Sequence, residues 1–189
     1  ILSEEPQIEM EKIISLRKKA VPYLIALLQN EDLKNPLFPG YGNAPQLATD
    51  CLRGIHDDSA IIALFEEIGH EEVVDEEGAL LALKAIGTPA MNFLLKLVSS
   101  EPITIDNERA AIALIHFKDI PEVSEAALHL LEKESFRNSI PFSSYVALIA
   151  GDVVQQEMKE RFERIAQEAG VPKMLKQEIE MIARVWKKH

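Results

Sequence analysis

Two adjacent carboxylates, Glu66 and Glu67, and the histidines His56 and His70 with Asp57, Glu71 and Glu72 beside them are of types that could do chemistry. A paired carboxylate acts as a general acid when burial or a like-charged neighbour raises its pKa. Histidines among carboxylates hold a metal when three or four ligands converge on one point. The spacing argues against both. The two histidines are 14 residues apart at turns, and most of the acids fall in turns open to solvent. His116 precedes Phe117 within a helix and reads as a filler, while His129 is placed towards the second helix of its pair. There is no phosphate loop, dinucleotide glycine fingerprint, pair of metal cysteines or HExxH run. The single cysteine, Cys51, excludes an intrachain disulfide and fits a reducing compartment. Next to Leu52 in a helix, it reads as a small packed thiol. The expectation is a non-catalytic chain with no cofactor and no metal.

The elements that position these residues come from a repeat. Ala48, Leu52 and Ile55 recur as Ala79, Leu83 and Ile86 and again as Ala110, Leu114 and Phe117, in steps of 31 residues. A second apolar triplet follows each: Ile61, Leu64 and Ile68, then Met91, Leu94 and Val98, then Val123, Ala126 and Leu130. Both triplets have helical spacing, so each period encodes two amphipathic helices. One pair cannot bury its own stripe, and neighbouring pairs must stack. The predicted fold is all-α, a right-handed α-solenoid of about five antiparallel helix pairs in a single domain. The repeats fall at about 3–30, 44–69, 75–99, 105–133 and 142–169, with a C-terminal cap over 172–187.

Along the chain, an opening helix is predicted over 3–19, its Ile13 and Leu16 matching Leu52 and Ile55. The next helix follows Pro22, tolerated there because the first N–H groups of a helix lack intrahelical partners. Further helices are expected over 45–55, 58–69, 75–86, 91–99, 106–117, 123–133 and 142–150. In the last of these Ser144 and Leu148 stand for Ala110 and Leu114 at a shift of 34. The segment 134–141 is read as a linker. From Asp152 a long charged helix carries Val154, Met158, Phe162 and Ile165 on one face, and a final helix carries Leu175, Ile179, Ile182 and Trp186.

Residues 32–45 hold three prolines and two glycines, which predicts no regular structure. Yet Leu37, Phe38 and Tyr41 are more apolar than a linker needs. The segment either folds back to seal a groove or presents Phe38 and Tyr41 to a partner as anchors.

Charge is unevenly spread. The net charge is −11, and residues 54–83 alone carry nine acids and no lysine or arginine, whereas 157–189 sum to +2. The acidic sector is either a solvated face with acids at helix N-termini or a docking patch for a basic partner. A protein that grips phosphates must supply cations, so no nucleic-acid partner is expected. No apolar run approaches the ~20 residues of a membrane span, and no basic leader with a cleavage motif is visible at the start. These readings predict a cytoplasmic protein.

Leu52-Arg53-Gly54-Ile55-His56-Asp57, Leu83-Lys84-Ala85-Ile86-Gly87-Thr88-Pro89 and Val21-Pro22-Tyr23-Leu24 resemble HEAT repeats. They are most similar to the compact HEAT-like repeats of phycobilisome-lyase-type proteins. The second helix here lacks the recurring basic residue of longer HEAT repeats. The resemblance implies a curved stack whose second helices line a concave face that binds macromolecules. On that basis the expected function is a protein-interaction scaffold, with Glu66, Glu67, Asn92, Lys96 and His129 on the binding face and Phe38 and Tyr41 as apolar anchors. Its partner would be another protein, of basic surface if the acidic sector is used. Two alternatives stand beside it. One is a small-molecule or chromophore-binding module associated with a lyase-like enzyme. The other is self-association through Ile179, Ile182 and Trp186, against a monomer as the favoured state.

Overall fold

The apolar triplets of the repeat lie on, or just past the end of, helices too short to hold themselves together in water, where isolated helices under about 12–15 residues are marginal. Burial of those triplets is therefore what forms the helices. The computed structural model describes residues 5–35, 37, 41–69 and 76–186, and all regular structure within them is helical. Contacts gather into two compact units, Ile1–Met91 and Asn92–His189.

The first unit holds α1 (Glu5–Ser15), α2 (Val21–Leu28), a single turn α3 (Glu31–Lys34), α4 (Ala44–Ile55), α5 (Ile61–Glu66) and α6 (Glu76–Ile86). Helix α4 is its centre and touches α1, α2 and α6, while α5 packs on α6. Ala48, Leu52, Leu64, Ile68, Ala79 and Leu83 are all buried, as the period predicts, and Ile55 is half-buried. Helix α7 (Thr88–Val98) follows directly on Gly87, whose φ of +81° ends α6.

The second unit contains α8 (Ile105–Leu114), α9 (Pro121–Leu131), a single turn α10 (Glu134–Arg137), α11 (Phe142–Ala150), α12 (Gln156–Ile165) and α13 (Lys173–Trp186). Here α11 is central, packed on α8, α9 and α13. The fully buried amide of Asn107 links two helix ends. Its Nδ2 donates to the carbonyls of Leu97 at 2.9 Å and Ser100 at 2.8 Å, and its Oδ1 accepts from Thr104 N at 2.8 Å.

Several boundaries and registers differ from the sequence expectation. The opening helix stops at Ser15 instead of Lys19. Arg17 takes a left-handed conformation at φ +50° and Leu16 is exposed, because Val21 must turn inward only four residues on. Ser3 and His70 to Asp75 lie outside the described residues. The second helix of the next pair ends at Glu66, short of Gly69. Glu31–Lys34 forms a helical turn inside the supposedly irregular stretch, capped by Asn30 Oδ1 on Asp32 N at 3.0 Å. The linker 134–141 likewise contains α10, and its Phe136 and Arg137 are buried.

Helix α11 shows the largest correction. Leu148 is exposed and Ser144 half-buried, while Ser143, Ala147 and Ala150 are buried. Phe142, Val146 and Ile149 are buried as well, so the inward face does not match Ala110 and Leu114 at a shift of 34. Val154, expected on the inner face of a helix from Asp152, is exposed before α12 begins at Gln156.

The C-terminal contact proposed from Ile179, Ile182 and Trp186 is spent within the chain. Ile179 is fully buried, Trp186 Nε1 donates to Gly151 O at 3.1 Å, and its ring lies 5.4 Å from that of Phe162. Gly151 permits this approach: a Cβ there would sit 2.6 Å from Ile182 Cγ2.

Two stability measurements check this packing. Leu83→Ala removes a fully buried side chain and is expected to cost about 2–5 kcal/mol in urea denaturation. Gly151→Val drives a branched side chain into a β-branched neighbour and is expected to cost about 1–3 kcal/mol by the same measurement.

Candidate functional site

In the first unit the structure separates the two carboxylates that the sequence places side by side. Glu66 is exposed on the last turn of α5, whereas Glu67 is buried. Neighbouring helical residues point about 100° apart, so one of such a pair turns inward. Lys34 Nζ, at the end of α3, reaches Glu67 at 3.3 Å and Glu31 at 3.1 Å. Burial of Lys34 opposes its charge, but hydrogen bonds to Glu31 and Glu67 and their negative charges outweigh that and hold its pKa above the usual lysine value. Glu67 is thus part of an internal ion pair, a correction to its placement on the binding face. Tyr41 is 80% exposed in a left-handed conformation, and Leu37 is 93% exposed. Neither seals a groove. Phe38 lies outside the described residues.

In the second unit Asn92 and Lys96, one turn apart on α7, are both exposed, and His129 is exposed on α9. Below His129 lies an ion-pair network that the sequence did not reveal. Arg161 on α12 donates from Nε and Nη2 to the two carboxylate oxygens of Glu132, at 2.7 Å each. Arg137 donates from Nη2 to Glu132 O at 3.0 Å and pairs through Nη1 with Glu168. The Arg161 hydrogen bonds hold the Glu132 carboxyl below the usual carboxylate range against the effect of partial burial. The charges of Arg161, His129 and Arg137 add to this.

His56 occupies the left-handed C-cap of α4 at φ +59°, and His70, Glu71 and Glu72 are outside the described residues. Among the described residues no three His, Cys, Asp or Glu gather where a cation could be held. Cys51 is buried, and burial pushes its thiol up, away from the reactive thiolate.

Sequence reasoning missed an apolar groove between α1, α2 and α4. Its volume is about 220 Å³, with Met10, Ile13, Leu24, Leu27, Leu47 and Cys51 among its walls and Glu9 at its edge. The signal was present: Val21–Leu28 contains no charged residue at all, yet Tyr23 is 76% and Leu27 40% exposed. No single described helix is long and apolar enough to cross a membrane.

Compared with protein-family models and with curated proteins, the chain matches none.

The network beneath His129 has a pH signature. A carboxyl whose folded pKa is lowered stabilises the protein above its ordinary value of 4.5 and loses that contribution as pH falls through the lowered value. Arg161→Met is therefore expected to be less stable than wild type at about pH 7, with the difference narrowing at a pH below the ordinary value of 4.5. Urea denaturation at both pH values checks this; a gap that stays constant contradicts it.

Proposed function

We propose that this chain is a HEAT-like α-solenoid that works as a non-catalytic protein-binding scaffold. The observation that carries the reading is the division of labour within the second helices. Met91, Leu94 and Val98 of α7 and Val123 and Leu130 of α9 are buried, while Asn92, Lys96 and His129 on the same helices face solvent. A stacked repeat with its apolar stripes satisfied leaves such polar faces as extended binding surfaces. Tyr41, held out from the chain in the first unit, supplies an aromatic of the kind that anchors interfaces. Glu66 remains a candidate contact for a basic partner, and Glu67 supports it only through the pair with Lys34.

The single cysteine, its thiol buried, suits a reducing compartment such as the cytoplasm.

Affinity capture with the purified chain, read by mass spectrometry, tests the proposal. A specific protein retained by wild type is expected to be lost with Lys96→Glu/His129→Ala and weakened with Tyr41→Ala. Retention unchanged by all three substitutions overturns the placement of the face. Capture of no protein overturns the scaffold reading.

A further inference from the structure

We draw no further inference here: the strongest candidate, the groove between α12 and α13 with buried Ala166, Ile179 and Ala183 beneath Glu163, Glu180 and Arg184, carries charges of both signs that select no partner chemistry, and nothing in the structure shows what covers it.

Discussion

Short helices that cannot exist alone are the constraint on which the rest of this structure depends. Among the described helices the longest, α13, has 14 residues, α2 has eight and α5 six. Nucleating a helix of that length in water is unfavourable, and the deficit is made good by burying an apolar face against another helix. The chain answers this by placing one helix at the middle of each unit. In the first unit α4 meets α1, α2 and α6; in the second α11 meets α8, α9 and α13. Both central helices bury small residues beside large ones such as Leu52, Phe142, Val146 and Ile149. Ala48 in α4 and Ser143, Ala147 and Ala150 in α11 let neighbouring backbones come close, and Gly151 does so for α13.

Close packing around small residues also governs where charge can go. Two of the charged side chains that enter the interior pair with a distant partner, Lys34 with Glu67 and Arg137 with Glu168, whereas buried Arg109 pairs with Asp106 on its own helix. Lys34 and Arg137 are each separated from their partners by about thirty residues, close to one period of the repeat. A buried charge without its partner is costly, so these two pairs fix how one helix pair meets the next within each unit. They stabilise the arrangement less than they specify it.

The 31-residue recurrence made the helix pairs legible because apolar side chains at helical spacing have few other ways to be satisfied. Leu64, Leu83, Leu94 and Leu114 are buried where the period places them. The reading failed where the period relied on small or polar residues. In α11 the sequence offers Ser144–Leu148 as a stripe, but packing against α8, α9 and α13 buries Phe142, Ser143, Val146, Ala147, Ile149 and Ala150 and leaves Leu148 exposed. The candidate site was less legible still. Glu66 and Glu67 are chemically identical, and what distinguishes them is Lys34, brought in by a helical turn hidden within a proline-rich segment. The groove of α1, α2 and α4 was overlooked because α2 reads as a core helix. Although α2 carries no charge, Tyr23 and Leu27 are exposed, so one side of it remains open.

Asn107 carries a consequence for motion. Its single side chain serves the carbonyls that end α7 and the amide that begins α8. Fraying of either terminus breaks bonds that the other terminus needs. The end of one helix and the start of the next are thereby joined into one opening unit of the kind that amide hydrogen exchange resolves. A side chain buried at a turn thus makes two neighbouring helices lose or keep their order together, so a disturbance at the exit of α7 is felt at the entry of α8 without any change in the core between them.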